Sequence, residues 1–177
     1  LLSKKELPII PKEVLKFDFQ KSIKMVDVCF KYNGSDQNII NSVTLEIPYG
    51  KSVGFVGETG AGKTTLIDLI LGLHQPTTGK ITVDGVDIND NIRGWQKNIG
   101  YIPQNIFLGD ETIKLNIAFG YDEHNIDQKL MKDTIRLAKL DEFIKKLPNG
   151  INTVIGEQGV RISGGQRQRI GIARALH

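Results

Sequence analysis

Apolar and polar residues alternate along two early stretches of the chain, a pattern that predicts half-buried β-strands. The first stretch runs from Ile23 to Tyr32 and the second from Val43 to Ile47, before Pro48 and Gly50 end it. A short, almost entirely apolar run at residues 52–56 is typical of a strand buried on both faces. Residues 81–83 and 100–102 predict two further short strands.

Other stretches of the chain have apolar residues at the spacing of a helix. Directly after a glycine-rich loop, an apolar stretch from about Lys63 to Leu73 predicts a helix. Between Ile113 and Lys146, apolar residues recur at spacings of three and four, which is the pattern of amphipathic helices. Ser163 is placed to cap a last helix that runs to the end of the sequence.

Composition narrows the class of protein without identifying it. The 177 residues are 40% hydrophobic and 24% charged, as in a soluble globular domain. A net charge of +3, from 23 basic and 20 acidic residues, is too small to indicate a nucleic-acid partner. Cys29 is the single cysteine, so no internal disulfide is possible, and we expect it to be a small buried apolar residue. No run reaches the roughly 18 apolar residues that predict a membrane span, so we expect no direct insertion into a bilayer.

The glycine-rich loop carries the strongest chemical signal. The residues Gly57, Glu58, Thr59, Gly60, Ala61, Gly62, Lys63 and Thr64 match G-x-x-x-x-G-K-[ST] between a predicted strand and a predicted helix. Glycines let successive N–H groups turn towards phosphate oxygens, and the helix adds its unpaired N–H groups. Lys63 would then bind the β- and γ-phosphates, Thr64 would ligate Mg²⁺ and Thr65 would reach the α-phosphate. The motif alone does not separate a kinase, a GTPase, a helicase and a transporter motor.

A second candidate anion site follows about a hundred residues later. Ser163, Gly164, Gly165 and Gln166 open the last predicted helix, and Arg167-Gln168-Arg169 and Ala173-Arg174-Ala175-Leu176 continue it. Together with the phosphate loop, this segment resembles the signature motif and helix of ABC (ATP-binding cassette) ATPases. Ile162 stands where the family usually has Leu, a conservative replacement. The resemblance implies that Ser163 to Gln166 bind a second nucleotide.

Three shorter segments resemble the same family. Tyr101-Ile-Pro103-Gln104 is similar to the Q-loop, whose glutamine contacts Mg²⁺ or the attacking water and links to the membrane domain. Phe30-Lys31-Tyr32 is similar to the A-loop, in which Tyr32 would stack on adenine; a plain core aromatic is the alternative. The segment from Thr153 to Gly159 resembles the T-x-V-G-E-x-G sequence of exporters, near the coupling helices of the membrane part.

The resemblance covers residues 22–177 and implies a P-loop α/β domain. We expect a mainly parallel sheet, an N-terminal antiparallel β portion and a helical subdomain over about 106–177. Residues 1–21, with Pro8 and Pro11, are expected to link to a preceding membrane domain. Lys63 and Gln104 are the candidate catalytic residues, Thr64 and Gln104 the candidate metal ligands, and ATP and Mg²⁺ the implied cofactors.

The implied partners are the transmembrane domain of one transporter and a second nucleotide-binding domain, with a homodimer favoured, at the cytoplasmic face of a bacterial inner membrane. The family's next elements, an aliphatic strand ending in Asp, then Glu and later a switch His, are not among the 177 residues. We therefore expect this polypeptide to bind ATP–Mg without hydrolysing it. The alternatives are a regulatory module that never hydrolyses ATP and a soluble ABC ATPase of the DNA-repair type.

Overall fold

A computed structural model describes residues 17–156, 160 and 162–177 of the chain. The chain divides into two compact units, one ending at Ile99 and the other spanning Gly100–His177. Residues 1–16 of the predicted linker lie outside the described residues. In the described part, no helix is both long and apolar enough to cross a membrane.

The first unit is built on an antiparallel sheet of four strands in the order β2-β1-β3-β4. Strand β1 is Ser22–Phe30, β2 is Ile40–Pro48, β3 is Thr78–Val83 and β4 is Val86–Asp87. The alternation of β1 places Ile23 and Met25 in the core, as the sequence predicts, and a register shift between Met25 and Val28 brings Val28 into the same core. The expected antiparallel β portion is therefore confirmed.

Helices of the first unit pack their apolar residues onto this sheet. Helix α1 is Lys63–Ile70, and a 3₁₀ turn at Ile88–Asn91 leads into helix α2, Ile92–Gln96. Leu69 of α1 and Trp95 of α2 are buried in the same core as the sheet residues. Trp95 is only 3% exposed, and its indole Nε1 donates to the Ile70 carbonyl at 2.7 Å, which ties α2 to the end of α1.

Residues 52–56 depart from the sequence prediction. They form no strand in the described part of the chain, and Val56 is 95% exposed instead of buried. Residues 100–102, also predicted as strand, form none there either. The physical reason is that a strand is held by the ladder of a neighbouring strand, and no described strand is paired with either segment.

The second unit is mainly helical. Its elements in chain order are β5 (Glu111–Thr112), α3 (Ile113–Ile117), a 3₁₀ turn (Glu123–Asn125), α4 (Gln128–Leu137), α5 (Asp141–Lys145), a 3₁₀ turn (Gly150–Asn152), β6 (Val154–Ile155) and α6 (Gly164–Leu176). Strands β5 and β6 pair antiparallel, and the apolar faces of the helices meet around Ile113, Ile117, Leu140 and Ile170. The helical pattern between Ile113 and Lys146 is thus confirmed as three short helices.

Candidate functional site

The phosphate loop turns on two glycines with positive φ. Gly60 has φ +87° and Gly62 has φ +83°, a conformation that costs residues with a side chain about 1–2 kcal/mol. Gly62 is also crowded, because a Cβ there would lie 3.0 Å from Cδ1 of Ile40 and 3.2 Å from the carbonyl oxygen of Ile39. Only glycine therefore allows the loop to pass this close to the start of β2 and then enter α1.

The loop leads into the N-terminus of α1, which begins at Lys63. No side chain caps this helix end, and its first turn, which the structure describes completely, carries no acidic residue. The first N–H groups of a helix lack partners within the helix and form its positive end, which favours an anion. The Lys63 ammonium lies over the loop and donates to the carbonyls of Gly57 at 2.9 Å and Glu58 at 2.6 Å. Positive charge and N–H donors thus lie together at this helix end.

Tyr32, the residue predicted to stack on adenine, lies beside the same helix. Its hydroxyl is 3.0 Å from Oγ1 of the buried Thr65, in the first turn of α1. Its ring stands nearly perpendicular to the rings of Phe30 and His74, with centroid distances of 5.0 Å and 5.5 Å. Tyr32 is 41% exposed, so it is not a plain core residue.

The signature residues open helix α6 in the second unit. The Ser163 hydroxyl accepts from the backbone N–H of Gln166 at 3.2 Å, and the Gln166 side chain accepts from the N–H of Ser163 at 2.7 Å. This reciprocal capping box fixes the start of the helix. Gly164 and Gly165 are exposed, and a Cβ on either would meet no described atom within 4 Å. The helix N-terminus is therefore open to a ligand from outside.

Gln104 is exposed at a bend of the second unit, shortly before a cavity of about 890 Å³. The cavity is lined by Asn105, Ile106, Phe107, Leu108, Asp110, Gly156, Val160, Ile162 and Arg167. Phe107 is 72% exposed at this surface. The cavity is thus lined by residues that directly follow the predicted Q-loop and by Gly156 of the predicted exporter segment, whose residues 157–159 lie outside the described residues.

A polar network, buried at Asn116 and partly exposed at Arg174, joins residues 107–109 to helix α6. Arg174 of α6 donates to the carbonyls of Asn116 at 2.9 Å and Phe107 at 3.0 Å, and its guanidinium lies 4.9 Å from the centre of the Phe119 ring. Partial burial lowers the pKa of the Arg174 guanidinium. The amide of Asn116 in turn bonds Gly109 in both directions at 3.0 Å. Sequence reasoning missed this network, whose partners are up to 67 residues apart.

Comparison with known proteins agrees with this geometry. Residues 40–177 match the family described as ABC transporter. The chain belongs to the ABC transporter family. It therefore has the P-loop fold of the ABC ATPase domain, with the antiparallel sheet and helices described above.

Relatives of this ABC transporter chain include an ATP-binding protein, an ATP-dependent flippase and an exporter of known structure. It is 42% identical over 165 residues to the heterocyst differentiation ATP-binding protein HepA of Nostoc, covering 91% of this chain and 27% of that protein. It is 41% identical over 156 residues to the ATP-dependent lipid A-core flippase of Coxiella burnetii, covering 88% and 26%. A solved bacterial Atm1-family ABC exporter with ATP bound matches with a TM-score of 0.80 and 33% identity, covering 94% and 29%. The chain thus spans about a quarter of the length of these relatives.

The predicted site residues fall into two groups, each described within its own unit. The first unit brings together Tyr32, Thr65 and the loop from Gly57 to Thr64. The second unit contains Gln104 and the signature residues from Ser163 to Gln166. His74 joins the first group through its ring contacts, although its isolated position in the sequence shows no metal-ligand spacing and gave no reason to single it out.

Proposed function

We propose that this chain is the ATP- and Mg²⁺-binding motor domain of an ABC exporter, which couples ATP binding and hydrolysis to transport. The observation that carries the proposal is the N-terminus of α1, where a glycine loop, unpaired helix N–H groups and the Lys63 ammonium meet. In the matched relatives the corresponding segment is about a quarter of the protein, which supports a larger transporter around this one. The matched Atm1-family exporter has ATP bound, which supports ATP as the ligand.

The residues of the first unit fit a magnesium nucleotide. The loop from Gly57 to Gly62 and the start of α1 would bind the phosphates, with Lys63 supplying charge to the β- and γ-phosphates. Mg²⁺ prefers oxygen ligands and keeps waters and substrate phosphates in its shell, so it needs few protein ligands. Thr64, whose side chain is exposed in the first turn of α1, offers one hydroxyl oxygen for this ion. The bound ion would stabilise the charge of the transferring phosphoryl group.

We further infer that the signature residues act on a nucleotide held by another copy of the domain. A single γ-phosphate is already bound on one side by Lys63 and the loop, so a second anion site is most useful on the other side of a nucleotide bound elsewhere. Gly164 and Gly165 leave the start of α6 clear of described atoms of this chain. Two identical chains related by a two-fold axis would each present their signature to the other's loop.

The cavity of the second unit supplies a surface for the transmembrane partner. Its apolar wall includes Phe107, and Gly156 belongs to the segment that resembles the exporter sequence. Arg174 and Asn116 connect this wall to the signature helix. A membrane domain docked here would therefore act on the same helix that meets the second nucleotide. We propose that the chain lies at the cytoplasmic face of a membrane, such as a bacterial inner membrane.

Nucleotide binding and nucleotide-dependent dimerisation test the proposal in one set of variants. Truncating one partner of a buried charge pair costs about 2–5 kcal/mol, so Lys63→Ala should weaken ATP–Mg binding by a corresponding factor in titration calorimetry. Lys51→Ala, an exposed lysine outside the loop, is the matched control. Sedimentation should show dimers with ATP–Mg and monomers with ADP. Ser163→Arg should abolish the dimer and leave the monomer's ATP affinity nearly unchanged.

Two results would contradict these roles separately. Equal ATP affinity for Lys63→Ala and Lys51→Ala would remove Lys63 from the phosphate site. Loss of ATP binding by the isolated Ser163→Arg monomer would show that the signature acts on the nucleotide of its own chain, and the shared-site mechanism would then be rejected.

A further inference from the structure

Three aromatic rings form one cluster beside the phosphate-loop helix. The rings of Phe30 and His74 are stacked, with centroids 5.1 Å apart and planes 26° from parallel. Both rings stand at steep angles to that of Tyr32, at 83° for Phe30 and 88° for His74. Since perpendicular and offset-stacked arrangements are the favourable geometries for aromatic pairs, each ring supports the other two.

The backbone segments that carry these rings are also bonded to each other. The N–H of Thr77 donates to the Cys29 carbonyl at 2.8 Å, and the N–H of Lys31 donates to the Thr77 hydroxyl at 3.3 Å. Residues 29–31 therefore run alongside the segment that follows His74. Phe30 is buried, so the His74 ring is stacked on a fixed surface.

The hydroxyl end of Tyr32 is fixed separately. It lies 3.0 Å from Oγ1 of Thr65, which is buried in the first turn of α1. With the hydroxyl held by Thr65 and the ring flanked by Phe30 and His74, the plane of Tyr32 is determined at both ends. Tyr32 nevertheless remains 41% exposed, which leaves part of its surface available to a ligand.

We propose that His74 is a positioning residue of the base site, which orients the Tyr32 ring for stacking on adenine. This inference rests on the proposed function, because it requires that the first unit bind ATP. His74 contacts the ring that stacks on the base and has no part in the phosphate loop. Its contribution therefore applies to the base of the nucleotide and not to the phosphates.

Because His74 is expected to affect the base and not the phosphates, one experiment can distinguish this positioning role from a purely structural one. Isothermal titration compares Mg–ATP with Mg–tripolyphosphate, which has the phosphates without a base. His74→Leu, which keeps apolar bulk without a ring, should weaken ATP binding about 3- to 10-fold, the value of one aromatic pair. The same variant should leave tripolyphosphate affinity within about twofold of wild type. His74→Phe, which restores a ring, should bind ATP within about twofold of wild type.

A second histidine supplies the matched control. His124→Leu makes the same substitution at an exposed site in the other unit, and ATP affinity should not change. Thermal unfolding checks that each variant is folded, and His74→Met replaces His74→Leu if the latter is not. The inference is wrong if His74→Leu and His74→Phe bind ATP equally well, or if tripolyphosphate affinity falls along with that of ATP. Wild-type protein that binds neither ligand would refute the proposed function itself.

Discussion

Replacing Asn116 by Ala removes the centre of the polar network that joins residues 107–109 to helix α6. The side chain is only 1% exposed and lies in α3. Its amide nitrogen donates to the carbonyls of Gly109, Glu111 and Thr112 at 3.0–3.2 Å, and its oxygen accepts from the N–H of Gly109 at 3.0 Å. The substitution therefore affects the whole turn that leads into β5.

The expected cost follows from the groups left without partners. The Gly109 carbonyl still accepts from the N–H of Glu111 at 2.7 Å, so it keeps one bond. The N–H of Gly109 loses its acceptor, and an unsatisfied donor away from water costs about 1–3 kcal/mol. With the space left by the missing amide, we expect Asn116→Ala to lower the free energy of unfolding by roughly 2–3 kcal/mol. For a chain of this size, the melting temperature should fall by about 4–12 °C.

Thermal unfolding followed by circular dichroism measures this effect against a matched control. Asn125→Ala makes the same substitution at an exposed residue of the 3₁₀ turn in the same unit, and should change stability by no more than about 0.5 kcal/mol. One kcal/mol corresponds to a shift in melting temperature of about 2–4 °C for a chain of this size. If the melting temperatures of the two variants differ by less than about 1 °C on this scale, the network does not hold the turn and the reasoning is refuted.

Three further predictions concern other parts of the chain. Asp84 accepts hydrogen bonds from backbone N–H groups at residues 20–22, that of Gln20 foremost, which hold the pKa of its carboxyl below the ordinary value. The stabilisation that the ionised carboxyl gives the fold is present at pH values above the ordinary pKa and is lost as pH falls through the lowered pKa. Wild type should therefore have a higher melting temperature than Asp84→Asn at pH 7, and this difference in melting temperature should close towards pH 2. A difference that stays constant with pH would contradict this. Trp95→Phe keeps one aromatic ring but removes the N–H-bearing part of the indole with its bond to the Ile70 carbonyl, and the lost bond and the buried space left behind should together cost roughly 1–3 kcal/mol in urea unfolding; an unchanged midpoint would contradict this. A polypeptide of these 177 residues should release phosphate from ATP far more slowly than about 1 s⁻¹, since the catalytic Glu that the resemblance implies is not among them; faster release in a phosphate assay would mean that another residue acts as the base.

Features set by neighbouring residues could be predicted from the sequence. The turn at Gly60 and Gly62 follows from glycine's access to positive φ, and the capping box at Ser163 and Gln166 follows from their spacing of three. Both depend on a few consecutive residues, so the motif contains the physical cause of the geometry. The same holds for the alternation that buries Met25 in the core.

Features set by distant residues could not be predicted in this way. His74 meets Tyr32 across 42 positions of the chain, and Arg174 meets Asn116 across 58. Neither pair leaves a pattern in the residues around it. The run at residues 52–56 has the composition of a buried strand, but composition does not supply the paired neighbour that a strand needs. Its exposed Val56 shows that burial depends on the partner as well as on the sequence.

The glycines of the two anion sites differ in a way that supports separate roles. Gly62 is required by its own chain, since its φ is positive and a Cβ would crowd Ile39 and Ile40. Gly164 and Gly165 have no such requirement among the described residues, and glycine in a helix costs about 1 kcal/mol relative to alanine. No described contact within the chain offsets the helix stability that these two glycines cost. The cost would be explained if a ligand had to approach the start of α6 closely, as a nucleotide on a second copy of the domain would. The conformation of the phosphate loop is thus required by its own chain, whereas the glycines of the signature are accounted for by the partner domain proposed above.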